Sequence, residues 1–481
     1  MILTGYITGF LYAAICLLIA AVAYKLGLAK KFTRKIVHIL VGFEWILLYR
    51  FFGSGIHFLI VCIFFLALLT ISYKAKIMDM ISSDDDNSPG TVYYAAAMTG
   101  VAFIGCFVPQ LMLPFGIGVF CTSLGDGLAG VVGQIPFKYN PVVYGKKTLF
   151  GTLTNFVIST ASSFLLSFAY GMGLSLWHCV AIGFLAMELE LVSEGGIDNV
   201  TITWGTTALA YGFMHFGAMT DYVIPVLATV PIIVLVKMKK ALTKSGLIVA
   251  FVLDVIVSLA FGNFGFVTLS IFFVGAIIVD KIKKRVKKSS RNDIEAKDDC
   301  RDHMQVLANG LAAAVVSIGY LISGKSILIV AFVAAVAEAF ADTCASGIGV
   351  FAERTFDPFR MKKCEKGLSG GMSFVGTLAS LLASALIAFS VILWGISGYG
   401  VREVLIVTVA GFFGAVFDSF LGSVFQAKYR CSVCDKLTER EEHCSKPAIR
   451  ISGFASIDND IVNLISSAIA PLIAVVLTLI F

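Results

Sequence analysis

The sequence contains few charged residues for its length. Asp, Glu, Lys and Arg make up 14% of its 481 residues, whereas hydrophobic residues make up 58%. A typical soluble globular protein carries about 25% charged residues, because its surface must be compatible with water. The shortage of charge, with a mean hydropathy of +0.90, excludes a nucleic-acid-binding domain, a disulfide scaffold and a disordered chain. It indicates an integral membrane protein.

Tryptophan is also scarce, with four residues, whereas glycine is abundant, with 45. Small residues allow transmembrane helices to approach one another closely. Apolar runs long enough to cross roughly 30 Å of bilayer hydrocarbon recur along the chain, and they predict an all-α, polytopic transmembrane protein with about 14 spans. Two polar segments interrupt the pattern. Residues 281–303 are predicted to form a cytoplasmic linker, and residues 426–450 form a polar loop that contains cysteine and histidine.

The net charge of +6 is concentrated in a few basic segments, of which KIKKRVKK at 281–288 is the densest. Shorter basic segments occur at 30–35 and 237–240. By the positive-inside rule, such segments lie on the cytoplasmic side of a membrane. We therefore expect sites near them to face the cytoplasm.

An internal repeat is visible in two blocks, GDGLAGVVG at 125–133 and ADTCASGIG at 341–349. In each block an Asp precedes a Gly by the same spacing. Each block is followed by a glycine-rich stretch that ends in Gly-Thr, and each half of the chain then has an Asp-Asn pair. Three matches in the same order predict two tandem, related helical halves, residues 1–225 and 226–481.

The first half contains an isolated acid in an apolar stretch. Asp126 lies in LPFGIGVFCTSLGDGLAGVVG, which has no other charged residue. A carboxylate in a membrane costs a few kcal/mol unless it is paired, hydrated or bound to metal, so such residues are functional by default. Flanking glycines such as Gly125 would let a phosphate approach the backbone. The alternative is a helix-packing Asp that bonds to a hydroxyl such as that of Ser123.

A basic, glycine-containing loop follows Asp126. GKKTLFGT at 145–152 offers backbone N–H donors, two ammonium groups and hydroxyls at the start of an apolar helix, which is what a polyphosphate needs. The alternative is a basic cytoplasmic loop without a ligand, which the proximity of Asp126 in the sequence disfavours. The candidate residues in this loop are Gly145, Lys146, Lys147, Thr148, Gly151 and Thr152.

The segment MELELVSEGGIDNVTI at 187–202 is rich in carboxylates. This density near a membrane span suits Mg²⁺, a hard cation that takes oxygen ligands and shares them with substrate phosphates. A solvated helix end is the alternative. The candidate residues are Glu188, Glu190, Glu194, Asp198 and Asn199.

Acidic residues also interrupt the apolar segments of the second half. They occur in three clusters, and this arrangement again predicts a site for metal and phosphate. The glycine-rich GLSGG at 367–371 could contact phosphate through backbone amides. The candidate residues are Asp342, Ser346, Ser369, Gly370, Gly371, Asp418, Asp458, Asn459 and Asn463.

The polar loop contains a possible zinc site. Cys431 and Cys434 have the spacing of a zinc knuckle, and His443 and Cys444 follow. Adjacent residues do not always ligate together, and free cytoplasmic thiols are the alternative. The role of a zinc ion here would be to brace the loop.

The ordered motifs of the first half resemble one family. RKIVHILVG at 34–42, SLGDGLAGVVG at 123–133, GKKTLFGT at 145–152 and the segment from Glu190 to DNVTI resemble the CTP-dependent polyprenol kinases, which include dolichol kinase and phytol kinase. The resemblance covers residues 1–225.

The second half resembles another family. ADTCASGIGV, LSGGMSFVGTLAS, FDSFLGS and DNDIVNL, all within residues 235–481, are similar to the integral membrane family that includes phytyl-phosphate kinase. That family usually has an acidic residue at the position of Gly347, where this sequence departs from the pattern.

Together the resemblances imply a bifunctional lipid kinase that uses CTP and Mg²⁺. The first half would phosphorylate an isoprenoid alcohol, and the second would convert the monophosphate to the diphosphate. In the first half they assign Asp126, Glu190 and Asp198 to Mg²⁺ or to the lipid hydroxyl, Lys146 and Lys147 to the nucleotide phosphates, and Gly125, Gly145, Thr148, Gly151, Thr152 and Asn199 to phosphate contacts. His38, in the first motif, could contact phosphate or the hydroxyl, and the alternative is an interface residue at the start of a basic amphipathic helix. In the second half they assign Asp342, Asp418 and Asp458 to Mg²⁺, and Ser346, Ser369, Gly370, Gly371, Asn459 and Asn463 to phosphate.

Two other functions fit parts of the pattern. A cytidylyltransferase that joins CTP to a lipid phosphate also needs a membrane Asp, Lys and Mg²⁺, but it releases pyrophosphate rather than CDP. A transporter would also combine repeats with acids near the middle of the membrane. It would move its substrate without consuming nucleotide.

Overall fold

The computed structural model of the chain describes residues 2–75, 89–135, 139–215, 223–239, 241–287, 300–364 and 367–481. The chain divides into two compact units, Met1–Leu235 and Val236–Phe481. The expected boundary after residue 225 differs from this division, because a helix continues from Val223 to Lys239. The predicted linker is also shorter than expected, since helix extends to Lys287, and residues 288–299 lie outside the described residues.

The first unit is built from helices. A π-helical segment, Cys121–Asp126, joins the helix Met112–Phe120 to the helix Gly127–Val132. Its helices are α1 (Ile2–Lys25), α2 (Lys30–Gly42), α3 (Glu44–Phe52), α4 (Ile56–Ala75), α5 (Gly90–Phe107), α6 (Met112–Phe120), α7 (Gly127–Val132), α8 (Leu149–Tyr170), α9 (Leu176–Val192), α10 (Asp198–His215) and α11 (Val223–Lys239), the last of which crosses the boundary between units.

The core of the first unit contains α10, whose residues from Asn199 to Phe213 are all buried. This helix carries several threonines, whose hydroxyls bond to backbone carbonyls of the same helix, as Thr203 does to Asn199 at 2.7 Å and Thr206 to Ile202 at 2.6 Å. These bonds satisfy polar groups that would otherwise be costly to bury. The polar composition of α10 is therefore compatible with its position inside the helical core.

The second unit is arranged around α14. Its helices are α12 (Lys244–Lys287), α13 (His303–Ser323), α14 (Ile327–Gly349), α15 (Phe374–Ser390), α16 (Val401–Val424) and α17 (Asn459–Ile480). α14 contacts all five other helices of the unit, and most of its residues are buried. Its alanine-rich sequence lets neighbouring helices approach closely. Within α12, Gly262 has φ 56° and ψ −138°, which divides its 44 residues into two helices.

Short antiparallel strands form hairpins between the helices. In the polar loop, three of the strands form one sheet, in which Lys428–Arg430 lies between Leu437–Thr438 and Ile449–Ser452. The strands are β1 (Val142–Tyr144), β2 (Lys147–Thr148), β3 (Thr355–Asp357), β4 (Lys362–Cys364), β5 (Lys428–Arg430), β6 (Leu437–Thr438), β7 (Glu442–His443), β8 (Lys446–Pro447) and β9 (Ile449–Ser452).

The helices confirm an all-α, polytopic membrane protein. Among the described residues, 11 helices are long and apolar enough to cross a membrane. This number is below the expected count of about 14, which assumed spans of about 20 residues. The count is lower because the apolar run at 36–51 is divided between α2 and α3, because α9, α10 and α11 are too short or too polar to be counted, and because α12 is counted once although Gly262 divides it.

The two units repeat one local arrangement, in which an Asp-bearing helix leads through a hairpin to the next helix. A Cβ atom added to Gly151 at the start of α8 would lie 3.1 Å from the carbonyl oxygen of Ala129. One added to Gly376 at the start of α15 would lie 2.9 Å from the carbonyl oxygen of Ala345. The two crossings are therefore equivalent, and both use glycine because backbone atoms leave no space for a side chain.

Candidate active sites

Asp126 lies at the end of the π-helical segment and is buried. Its Oδ2 atom is 2.7 Å from Lys35 Nζ and 3.6 Å from His38 Nε2, both on α2. Lys35 also donates to the backbone oxygen of Asp126 at 3.2 Å, and His38 Nε2 lies 3.0 Å from the carbonyl oxygen of Thr122. A buried carboxylate is tolerated when a cation and hydrogen bonds compensate its lost hydration. The alternative partner, Ser123, makes no hydrogen bond through its hydroxyl within the described residues.

Lys147 is directed toward two acids by the β1–β2 hairpin. Its Nζ atom is 2.5 Å from Glu190 Oε1 and 3.6 Å from Asp198 Oδ2. Burial alone would lower the pKa of Lys147, but Asp198, Glu190 and Asp126 outweigh it and raise that pKa above its ordinary value. The ammonium group therefore stays protonated at physiological pH.

The other residues of the basic loop are placed differently. Lys146 and Glu194 are exposed, so neither belongs to the buried cluster around Lys147. Gly145 adopts φ 55°, a conformation that favours glycine, and turns the hairpin. Thr148 donates to the carbonyl oxygen of Gly133 at 3.3 Å. The sequence could not tell Lys146 from Lys147, because it does not reveal that Lys146 lies in the turn of the hairpin and Lys147 on β2.

Among the described residues, one carboxylate oxygen and one amide oxygen in this region have no hydrogen-bond donor. Within the described part of the chain, Glu190 Oε2 and Asn199 Oδ1 are buried and accept no hydrogen bond. Asn199 is held by its amide nitrogen, which donates to the carbonyl oxygens of Gly90 and Gly196, both at 3.1 Å. Buried oxygens without partners are costly, and hard cations such as Mg²⁺ take oxygen ligands of this kind. The donor set of Glu190, Asp198 and Asn199 fits such an ion.

A cavity of about 220 Å³ opens beside Asp126. One part of its lining is polar, with Lys35, His38, Asp126 and Asp198. The rest is mainly apolar, and it includes Leu48, Phe58, Val61, Phe65, Phe115 and Val119. This combination suits an amphipathic molecule with a polar head and a hydrocarbon tail.

The second unit has a cavity of about 340 Å³ that gathers residues predicted from all three acidic clusters. The predicted residues on its wall are Asp342, Ser346, Ser369, Gly370, Gly371, Asp418, Asp458, Asn459 and Asn463. They come from α14, the glycine-rich loop, α16 and the start of α17. The structure therefore brings together residues that are more than a hundred positions apart in the chain.

Asp418 is held by α17. Its Oδ2 atom accepts from Ser466 at 3.0 Å and, with the amide of Asn463 oriented to satisfy its neighbours, from Asn463 at 3.2 Å. Asp458 caps α17 and accepts from the backbone N–H of Ile461 at 3.0 Å. Ser346 is exposed and donates to the carbonyl of Asp342 in its own helix at 3.1 Å. Its hydroxyl is thus engaged locally.

The glycine-rich loop is fixed at Ser369. The backbone N–H of Ser369 donates to Glu439 Oε1 at 2.7 Å, and Lys428 Nζ donates to its carbonyl oxygen at 2.7 Å. The next residue, Gly370, has φ 85°, and a Cβ there would lie 2.5 Å from the Cα of Ser423. Only glycine fits this approach.

Three charged residues in or beside this cavity were not predicted as site residues from the sequence. Glu338 is buried on α14, one helical turn before Asp342, and its position in an apolar helix was the signal that could have found it. Lys283 and Arg301 line the cavity and supply positive charge, and Arg301 Nη2 is 3.1 Å from Asp280 Oδ2. They lie at the edges of the polar segment that was predicted to be a linker only.

Gly347 lies against α12. A Cβ added at this position would clash with the side chain of Val279. The departure from the usual acidic residue therefore coincides with a close helix contact. The acidic groups of the site are supplied by other residues, among them Asp342 and Asp418.

The cysteines and histidine of the polar loop come together. One ligand atom from each of Cys431, Cys434, His443 and Cys444 lies within 4.8 Å of the others. His443 Nδ1 is 3.5 Å from Cys434 Sγ and 3.2 Å from Cys444 Sγ. His443 and Cys444 are adjacent in sequence, and the ligand atoms of both nevertheless lie in the same cluster.

Both units place acids and cations at cavities among apolar helices, as in multi-pass membrane proteins with polar functional sites. A family model described as integral membrane protein DUF92 matches residues 227–471. The chain belongs to this family of integral membrane proteins.

The chain is also similar to individual proteins. It is 30% identical over 205 residues to a protein named phytol kinase from Synechocystis sp. The matched region covers 42% of this chain and 87% of that protein. It is 28% identical over 255 residues to Protein PGR from Arabidopsis thaliana, covering 47% and 86% of the two chains. It is 26% identical over 243 residues to Protein VTE6, chloroplastic, of the same plant, covering 49% and 65%. No solved structure matches the chain.

Proposed function

We propose that the protein is a bifunctional isoprenoid lipid kinase. The first unit transfers the γ-phosphoryl group of CTP to a prenyl alcohol of the phytol, geranylgeraniol or polyprenol type, and the second unit phosphorylates the monophosphate to the diphosphate. Both steps depend on Mg²⁺. The similarity to a protein named phytol kinase supports the chemical class, and CTP as the donor follows from the resemblance of the motifs in the sequence.

The observation that carries the proposal is the cavity of the first unit. Its apolar wall accommodates a prenyl tail, and Asp126 and Asp198 line its polar part, where a terminal hydroxyl would lie. Glu190 and Asp198 keep Lys147 charged beside the proposed Mg²⁺ ligands, where the phosphates of a nucleotide would bind. Phosphoryl transfer depends mainly on positioning and charge stabilisation, which these residues supply.

The first reaction can be written from these groups. The hydroxyl oxygen of the alcohol attacks the γ-phosphorus of CTP, the bond from that phosphorus to the β–γ bridging oxygen breaks, and CDP leaves. The hydroxyl proton passes to the Asp126 carboxylate, which Lys35 and His38 hold in position. Lys147 stabilises the negative charge on the phosphates. Glu190, Asp198 and Asn199 would hold Mg²⁺, which would neutralise charge on the phosphates of the nucleotide.

The second unit suits an anionic substrate. Its cavity is larger and more polar than that of the first unit, and Lys283 and Arg301 add positive charge to its wall. A prenyl monophosphate carries charge that the corresponding alcohol lacks. Asp342, Asp418 and Asp458 would hold Mg²⁺, and the backbone of the glycine-rich loop would contact phosphate. A phosphate oxygen of the monophosphate then attacks the γ-phosphorus of CTP, and CDP leaves.

The sites are proposed to face the cytoplasm, where nucleotide is present. Asp126 contacts Lys35, which belongs to the basic helix α2. In the second unit, Lys283 lies on the cavity wall and belongs to the densest basic segment. Basic segments favour the cytoplasmic side.

The test uses the purified chain in lipid nanodiscs with Mg²⁺, phytol and CTP labelled at the γ-phosphate. We expect label in phytyl phosphate and release of CDP, and we expect Asp126→Asn to lower the rate at least 100-fold. ATP in place of CTP tests the donor. Release of pyrophosphate with cytidylate attached to the lipid would instead identify a cytidylyltransferase, and substrate movement across vesicles without nucleotide consumption would identify a transporter.

A further inference from the structure

A cluster of soft donor atoms lies outside both candidate active sites, in the polar loop of the second unit. The Sγ atoms of Cys431, Cys434 and Cys444 and the Nδ1 atom of His443 approach one another from two hairpins. Four donors around a tetrahedral Zn²⁺ ion are separated by about 3.3–3.8 Å. The observed separations, all within 4.8 Å, require a contraction of only about 1 Å to reach this geometry.

The backbone around Cys431 is arranged for a thiolate. The N–H groups of Val433 and Cys434 point at Cys431 Sγ, at 3.3 and 3.5 Å. Such N–H bonds orient a metal-binding sulfur and stabilise its negative charge. The turns that follow use non-glycine residues with positive φ, namely Asp435 at 59° and Cys444 at 53°. Conformations of this kind persist where other interactions fix them.

We propose that Cys431, Cys434, His443 and Cys444 bind a structural Zn²⁺ ion that holds the glycine-rich loop of the second unit in place. Three thiolates and one imidazole complete a tetrahedral shell and leave no open position for a substrate, which is the pattern of structural zinc sites. The ion therefore has no part in phosphoryl transfer itself.

The connection to the glycine-rich loop runs through the sheet. Lys428 lies on β5, which leads to Cys431, and Glu439 follows β6 directly. The two strands pair through Tyr429 and Thr438, and the N–H of Cys431 donates to the carbonyl oxygen of Lys436 at 2.9 Å. A metal ion at Cys431 and Cys434 would fix this hairpin.

Lys428 and Glu439 act on a single residue of the loop. They bond to the carbonyl oxygen and the N–H of Ser369, both at 2.7 Å. The hairpin thus holds Ser369 at both its polar backbone groups. Loss of the ion would release the hairpin and, with it, the loop.

The first test measures metal in the full-length purified protein. Inductively coupled plasma mass spectrometry is expected to find about one zinc per chain, and X-ray absorption is expected to find three sulfur ligands and one nitrogen ligand. Cys434→Ser and Cys444→Ser are expected to lose at least 80% of the zinc. Cys300→Ser, a cysteine of the same unit outside the cluster, is the matched control and is expected to retain it.

The second test measures the loop without relying on catalysis. Hydrogen exchange of the backbone amides at 367–373 is expected to rise at least tenfold when a chelator removes zinc from the wild-type protein, and to return when zinc is added back. Absence of zinc from the wild-type protein, full zinc retention in Cys434→Ser, or unchanged exchange after chelation would each overturn the proposal. A lowered rate of diphosphate formation in the zinc-free protein is a further consequence that rests on the proposed function. Metal content and exchange are independent of it.

Discussion

Lys147 and Lys146 are neighbours in sequence and differ sharply in environment. The first bonds to Glu190, whose side chain is 5% exposed, whereas the second is exposed to solvent. A buried acid without its cation is strongly unfavourable, and breaking such a pair costs about 3–5 kcal/mol. The contrast gives a matched pair of variants at one hairpin.

Lys147→Ala is expected to lower the free energy of unfolding by about 3–5 kcal/mol and to reduce alcohol phosphorylation at least 100-fold. Lys146→Ala is expected to change the free energy of unfolding by less than about 0.5 kcal/mol, because it is an exposed substitution. Chemical denaturation in detergent micelles and the phosphorylation assay provide the two measurements. If Lys147→Ala lowers the free energy of unfolding no more than Lys146→Ala does, the ion pair of Lys147 and Glu190 contributes little to stability.

Asp458 has a structural role that can be separated from its proposed metal-binding role. Asn caps a helix as well as Asp does, so Asp458→Asn is expected to keep the folded stability, whereas Asp458→Ala costs about 1 kcal/mol. Both variants lose the carboxylate charge, and both are expected to slow diphosphate formation at least 100-fold. Thermal unfolding and the rate with phytyl monophosphate are measured together. A fully active Asn variant would restrict Asp458 to helix capping.

At the scale of helices, the two equivalent glycine crossings determine how closely each Asp-bearing helix approaches its partner. A Cβ on Gly376 would lie 2.9 Å from the carbonyl oxygen of Ala345 and 3.2 Å from the Cα of Gly349. These are backbone atoms, so the clash can be relieved only by moving a helix. Gly319 in α13 offers a contrast, since a Cβ there would meet Leu328 at an ordinary 3.5 Å.

Gly376→Ala is therefore expected to destabilise the protein by about 1–3 kcal/mol, the usual cost of overpacking. Gly319→Ala is expected to be neutral or slightly stabilising, because alanine favours helix. Thermal unfolding followed by size-exclusion chromatography measures both. If both variants unfold at the same temperature as the wild type, the crossing at Gly376 can accommodate a methyl group, and the proposed clash with backbone atoms is wrong.

Residues of α6 line part of the cavity in the first unit. Val119 is buried on the cavity wall, two helical turns before Asp126, a distance of about 10 Å along the helix. Val119→Phe is expected to lower kcat/KM at least tenfold for a long prenyl alcohol and less for a short one. Val119→Ala, which keeps the cavity open, is the control. If Val119→Phe lowers kcat/KM equally for long and short alcohols, the prenyl tail does not extend along the cavity wall at Val119.

The sequence predicted the helical class and many of the residues that line the two cavities, because intramembrane acids such as Asp126 and Asp342 stand out in apolar segments. It did not identify Lys35 as the partner of Asp126, since that contact joins residues 91 positions apart. Glu338 was missed although it is, like Asp342, an acid within an apolar helix. The number of spans differed in part because α10 was expected to be a span, whereas its threonines and other polar residues make it less apolar than the helices counted as membrane-crossing.

For the whole molecule, the central claim is that each unit holds its own active site. The chain divides at Leu235, and each unit has a cavity lined by its own acids and cations. Asp126 and Asp342 occupy equivalent positions in the two repeats and belong to different units. Substitution of one is therefore expected to leave the chemistry of the other intact.

The most direct measurement supplies labelled CTP with either phytol or phytyl monophosphate to the purified Asp126→Asn and Asp342→Asn variants and quantifies each lipid product. We expect Asp126→Asn to lose monophosphate formation and to keep diphosphate formation from supplied monophosphate. Asp342→Asn is expected to accumulate monophosphate and to form no diphosphate. Loss of both reactions in either variant, or of neither reaction in both, would contradict two separate sites.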